Sequence, residues 1–170
     1  ISLSPLSQKD QTVESSLFLQ DKWNLTQKIV LQLGGRFMDY SEHDELYFDP
    51  RIGFKYLAKE DLSFKLSLGR YHQFLTIANP EDETWRIIDF WLGITEEQKA
   101  PYSDHYILGL EYLSEDNWLF RCETYYKHFE NLITLKQGQL FTEDESGARF
   151  TPFNEFYPTK AYAYGVELLY

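Results

Sequence analysis

DPRIGFKYLAKEDLSFKLSLGRYHQF, residues 49–74, alternates with a period of two. Ile52, Phe54 and Tyr56 fall on one face, and Arg51, Gly53 and Lys55 on the other. After Ala58-Lys59-Glu60-Asp61 the alternation resumes, with Leu62, Phe64, Leu66 and Leu68 opposed by Ser63, Lys65, Ser67 and Gly69. Two such runs about a tight polar turn predict an antiparallel hairpin. The face opposite the apolar one carries arginine, lysine and glycine, which cannot form a dry core. A membrane barrel meets both conditions at once, with apolar side chains toward lipid and polar ones toward a wet or plugged lumen.

Working outward, the same alternation recurs. Gln11 to Trp23 and Lys28 to Tyr40 flank the turn Asn24-Leu25-Thr26-Gln27. Its Asn-x-Thr pattern is read as a turn in preference to a glycosylation acceptor. In the first run Phe18 lies on the polar face, an exception to the pattern. Ser103 to Leu113 and Trp118 to Phe129 flank Ser114-Glu115-Asp116-Asn117, and a last run begins near Ala161. The acidic stretch Ser41 to Asp49, the long stretch Phe74 to Tyr102 and Glu130 to Lys160 read as loops. Short turns and long connections thus alternate. In an up-and-down meander all short turns fall on one rim and all long loops on the other, as in outer-membrane barrels. A soluble lipocalin-like barrel alternates too, but turns its apolar face inward. The expectation is an all-β fold, an antiparallel up-and-down meander of about seven strands forming part of a transmembrane β-barrel.

Composition agrees. Of 170 residues, 43% are hydrophobic and 25% charged, and 18% are aromatic, with 13 Tyr, 13 Phe and 4 Trp. Mean hydropathy is −0.47, and no stretch approaches the roughly 18 apolar residues of a spanning helix. Barrels need only alternate residues apolar, and their interfacial girdles use aromatics. The net charge of −11 sets nucleic acid aside as a partner. A lone cysteine, Cys122, excludes an internal disulfide. No signal peptide opens the chain, which reads as beginning inside a longer protein.

Several segments resemble the barrel of TonB-dependent outer-membrane receptors. FLQDKWNLTQKIVLQLGGRFMDYS (18–41) resembles that family's strand, turn and strand ending in L-G-x-R-aromatic. Residues 49–74 resemble its P-R-x-G…Y…L…G-R hairpin, and YSDHYILGLEYLSEDNWLFRCETYYKHFENLI (102–133) resembles a later one. AYAYGVELLY (161–170) is similar to the G-V-E strand that follows. Where the third hairpin has an acidic residue in the family, this chain has Ile107.

The resemblance implies a bacterial outer-membrane receptor that imports a scarce nutrient, such as an iron–siderophore chelate or cobalamin. Energy would come from the TonB complex through a plug domain. Residues 1–170 would be a partial barrel domain, with plug and remaining strands absent, incapable of transport alone. Its partners would be outer-membrane lipid, a small-molecule nutrient or metal chelate, and TonB. The rival readings are a passive porin and a soluble β-barrel or sandwich binding module.

Candidate site residues follow from position. Arg36, Arg51, Lys55, Lys65, Glu111, Arg121, Glu123 and Glu167 fall on polar faces and are expected to line the lumen as a charge-balanced wall. Trp23 and Trp118 beside short turns, with Tyr40, Tyr112, Tyr126 and Tyr170 near strand ends, are expected to form a membrane girdle; an aromatic ligand platform is the second reading. Trp85, Arg86 and Trp91 in the longest loop, above Arg70, Tyr71 and His72, suit an anionic aromatic chelate. Loop packing is the first reading for these, and ligand contact the second. Acidic clusters at Glu42/Asp44/Glu45, Glu81/Asp82/Glu83 and Glu143/Asp144/Glu145 read as solvated loop surface before cation capture. His43, His72, His105 and His128 lack metal-ligand spacing, so no metal site and no cofactor are expected. No nucleophile elbow, phosphate loop or Ser/His/Asp grouping appears, so the chain is not expected to be an enzyme.

Overall fold

The structure, a computed structural model, describes residues 11–77, 91–116, 118–135 and 156–170. Nine strands occur among them: β1 (Glu14–Asn24), β2 (Ile29–Tyr40), β3 (Leu46–Leu57), β4 (Leu62–His72), β5 (Leu75–Ile77), β6 (Trp91–Gly93), β7 (Tyr102–Leu113), β8 (Leu119–Leu135) and β9 (Phe156–Leu169). Seven form one sheet in the order β1-β2-β3-β4-β7-β8-β9, every neighbouring pair antiparallel. The all-β meander expected from the alternation is therefore the fold. β5 and β6 form a separate two-stranded ribbon inside the long connection between β4 and β7.

Turn chemistry sets the register. At the first turn Thr26 Oγ1 accepts from the N–H groups of Lys28 (3.1 Å) and Ile29 (3.0 Å). At the second, the Ala58 N–H donates to the Leu62 carbonyl at 2.9 Å, and at the third the Ser114 N–H donates to Trp118 at 2.8 Å. Side chains opposite one another in an antiparallel pair lie on the same face. The register therefore carries each hairpin's alternation across the whole sheet. Leu17, Phe37 and Phe48 share a face; so do Leu33, Ile52, Leu68 and Tyr106, and so do Thr124 and Val166 beside Leu108. This apolar face is uncovered: Leu19 is 78%, Leu108 57% and Leu168 78% exposed.

Among the described residues the buried hydrophobic side chains are only Met38, Tyr40, Phe74, Ile94 and Ala100. They form one cluster, with Tyr47 and Ile133 packed against it. It lies at the rim of the long connections, on the face opposite the apolar one.

Three boundaries differ from the alternation. β8 continues through Glu130 to Leu135, and β9 begins at Phe156, where a loop from Glu130 to Lys160 was expected. The pairing shifts register between Phe129 and Leu132, and Asn131 there has φ of 55°. Such a bulge adds an unpaired residue and breaks the period of two, so the strand beyond it is masked in the sequence. β3 begins at Leu46 rather than after Asp49.

Candidate functional site

The face opposite the apolar one is built in rows of residues paired across the strands. The row nearest the short turns holds Ser63, Glu111 and Arg121. Above it stand Lys55, Lys65, Gly109, Glu123 and Glu167. Glu111 gathers the cations of both rows: Lys65 Nζ at 2.6 Å, Arg121 Nη2 at 3.1 Å and Lys55 Nζ at 3.8 Å. Arg121 also lies 3.9 Å from Glu123. These side chains are only partly covered, so each exposed pair contributes about 0–1 kcal/mol. Their main effect is to hold the long side chains flat against the wall.

The next two rows contain no carboxylate. One runs Lys22, Gln32, Gly53, Ser67, Ile107, Tyr125 and Gly165; the other runs Gly34, Arg51, Gly69, His105, Lys127 and Ala163. Gly69 leaves room that the Tyr71 ring occupies, its hydroxyl 2.9 Å from where a Cβ would stand. There the ring lies under the Arg51 guanidinium (4.8 Å) and beside the His105 ring (4.6 Å). Gly165 admits Tyr125 in the same way, with Lys127 Nζ 5.1 Å from that ring.

At the upper rim Asp49 is fully buried. It accepts from Arg36 Nη2 at 3.1 Å, from the His72 N–H at 3.1 Å and from His72 Nδ1 at 2.6 Å. A buried carboxylate persists only when its oxygens are satisfied in this way. Around this centre the segment returning from β6 is tied down by its carbonyls. Tyr40 Oη donates to Ile94 (3.1 Å), His43 Nε2 to Thr95 (2.9 Å) and Asn131 Nδ2 to Ala100 (3.2 Å), and the Gln73 N–H donates to Pro101 (3.0 Å). A carbonyl only accepts, so His43 carries its proton on Nε2, and its Nδ1 accepts from the Tyr47 hydroxyl. Among the described residues no three His, Cys, Asp or Glu side chains converge as metal ligands would.

The eight residues expected to line the lumen all fall on this one polar face: Arg36, Arg51, Lys55, Lys65, Glu111, Arg121, Glu123 and Glu167. Trp23, Tyr112, Trp118, Tyr126 and Tyr170 are exposed. Tyr40 departs from the girdle expectation. It is 3% exposed, stacked on Phe74 at 4.7 Å and bonded to Ile94 on the polar face. Its even position in β2, shared with Arg36, already placed it there. Tyr56, Tyr106, Tyr162 and Tyr164 are exposed aromatics that the reading of strand ends overlooked.

The ligand candidates are not brought together. Arg70 pairs with Asp104 through two contacts of 2.8 Å, under Tyr102 at 4.3 Å, in register with the apolar face. Tyr71 lies on the polar face, and His72 belongs to the Asp49 centre. Trp91 contributes backbone to β6, opposite Ile77. Trp85 and Arg86 lie outside the described residues.

Comparison with known proteins agrees with this fold. A family model described as TonB dependent receptor-like, beta-barrel matches residues 2–170. No curated protein matches the chain. Among solved structures, the siderophore receptor PirA from Pseudomonas aeruginosa superposes with a TM-score of 0.71 at 18% identity, covering 92% of this chain and 30% of that one. PirA from Acinetobacter baumannii gives 0.63 at 16% identity, covering 96% and 26%. A ferric enterobactin receptor (PfeA) variant from Pseudomonas aeruginosa, solved with enterobactin, gives 0.65 at 17% identity, covering 92% and 24%. The chain thus spans 24–30% of the length of these receptors.

Proposed function

Because the chain belongs to the TonB-dependent receptor-like β-barrel family, we propose that it is part of the barrel wall of a bacterial outer-membrane receptor. The complete receptor binds and imports a scarce nutrient, an iron–siderophore chelate or cobalamin. It is energised by the TonB complex acting through a plug domain, and it is a receptor rather than an enzyme. In this reading residues 1–170 are a partial barrel domain. The polar rows face the lumen, and Trp23, Tyr112, Trp118 and Tyr170 sit at the membrane interfaces. The names of the superposed structures favour an iron chelate as cargo.

The observation that carries the reading is the reversal of inside and outside. The apolar face is bare, with Leu17 72% and Val166 66% exposed, while the ionic network lines the other side. A soluble sandwich or lipocalin-like barrel would bury the apolar face. A porin would share the reversal, so the plug and energy coupling are what separate it from this reading. The test is deletion of the full-length gene in its own bacterium, followed by growth on chelated iron or cobalamin as sole source. Loss of growth on one chelate, restored by the gene only when TonB is intact, is the expected result. Restoration without TonB would leave a passive channel.

A further inference from the structure

We infer that Asn131 is a positioning residue. It grips the strap formed by residues 94–101 and so fixes the root of the β5–β6 ribbon, and the receptor's affinity for its cargo depends on that grip. The inference rests on the receptor reading above and adds to it a residue that acts through the strap rather than on the cargo.

The strap leaves β6 after Gly93 and reaches β7 at Tyr102. Its end residues Ile94 and Ala100 are buried in the cluster with Met38 and Phe74, against which Ile133 of β8 packs. Glu96, Glu97 and Lys99 between them are exposed. The wall holds the strap by its carbonyls. Tyr40 Oη donates to Ile94 (3.1 Å), His43 Nε2 to Thr95 (2.9 Å), Asn131 Nδ2 to Ala100 (3.2 Å) and the Gln73 N–H to Pro101 (3.0 Å). A carbonyl is the same whatever residue bears it, so the donors on the wall set the place of the strap.

Asn131 is the one non-glycine residue with positive φ among the described residues, at 55°. Side chains disfavour this left-handed conformation, and asparagine tolerates it better than most. The residue stands in the shift between Phe129 and Leu132, where β8 has one residue more than β9. An extra residue of this kind is left out of the ladder. Two requirements therefore meet at one position: a left-handed backbone, and an N–H donor within reach of Ala100. Glycine would meet only the first. A bulge that served merely to bend the strand would need no amide.

The opposite end of the strap is built in a parallel way. A Cβ at Gly93 would stand 2.9 Å from the Tyr40 hydroxyl, so the missing side chain is what lets that hydroxyl reach Ile94. The Tyr40 ring stacks at 4.7 Å on Phe74, the residue before β5. Each end thus hangs on a single neutral hydrogen bond, and losing either shifts the balance of held and released strap about fivefold. Cargo that needs the ribbon in place binds only the held fraction. Its apparent affinity falls with that fraction, while saturating cargo restores the hold and the maximal rate.

The experiment uses the full-length receptor. In detergent, trypsin cleavage after Lys99, identified by fragment mass, reports release of the strap, because the cut needs the backbone beside buried Ala100 to come free. Asn131→Gly, which keeps the backbone and removes the amide, should speed this cut about fivefold. Tyr40→Phe should do the same at the other end, and the double variant should gain about twenty-fivefold if the ends act independently. Heat-shifted electrophoretic mobility verifies that each barrel is folded. In cells, the probes are radioactive iron supplied as the tris-catecholate or the tris-acetohydroxamate, and cyanocobalamin. For the probe that is imported, the double variant should raise the half-saturating concentration at least about threefold and change the maximal rate less than twofold. An unchanged cut in Asn131→Gly overturns the inference. So does an unchanged half-saturating concentration in the double variant, or a fall in maximal rate alone, which would mark a merely structural role. In those cases import by the unaltered receptor leaves the uptake reading standing. If the unaltered receptor imports none of the probes, that reading falls and this role with it.

Discussion

The two ends of this wall are built on different principles. At the short-turn end each strand reverses through a few polar residues, and the polar face is held by the Glu111 ion network, partly open to solvent. At the other end a buried carboxylate, a small hydrophobic cluster and the returning segment after β6 lock together. The first end repeats a local rule. The second depends on contacts between residues far apart in the chain, such as Tyr40 with Ile94 and His43 with Thr95. A local rule tolerates the loss of any single side chain, whereas a centre in which every donor converges on one group does not.

That contrast is easiest to break at Asp49. Asp49→Ala strips Arg36 and His72 of their shared acceptor, and removing one partner of a buried ion pair costs about 3–5 kcal/mol. Denaturant unfolding of the complete barrel should show this loss, with protease cutting near the upper rim before global unfolding. A change below about 1 kcal/mol would mean that the rim is no more cooperative than an exposed ion pair.

The contrast between faces comes next in size. Leu66 and Ser67 are neighbours in β4 but project to opposite sides. Leu66→Arg near mid-membrane should cost about 2–4 kcal/mol, and Ser67→Arg much less. Refolding titrations into lipid would measure both, and equal costs would sink the assignment of faces.

The smallest effect is expected at the short-turn end. Glu111→Gln removes the carboxylate that Lys55, Lys65 and Arg121 share, yet these groups keep contact with water. A loss of about 1 kcal/mol or less is expected, shrinking as salt rises. A loss matching that of Asp49→Ala would erase the distinction between the two ends.

The same distinction explains what could be read without coordinates. The hairpins and both faces were legible because a period of two is a local property, and register then carries it from strand to strand. Arg36, Lys65 and Glu111 were placed on one face by parity alone. The rim was not legible. Nothing near Met38 or Tyr40 in sequence announces Ile94 or Ala100, and Asp49 read as part of an acidic loop. Beyond Phe129 the bulge at Asn131 reverses the parity, which hides the strand from a period-of-two pattern. Arg70 illustrates the opposite error. Its neighbours Tyr71 and His72 suggested a common cluster, but alternation sends Arg70 to the far side, where Asp104 receives it.

The segment from Ile94 to Pro101 has a geometric consequence for the wall as a whole. Near one end it is held by Tyr40 from β2, and near the other by Asn131 from β8. Those strands are four steps apart in the sheet, about 19 Å if the sheet were flat. The Thr95–Gln98 turn shortens the segment, so it braces the two strands against each other across the polar side. In the receptor proposed above, a stretch of wall braced in this way would keep its bend as neighbouring strands are added.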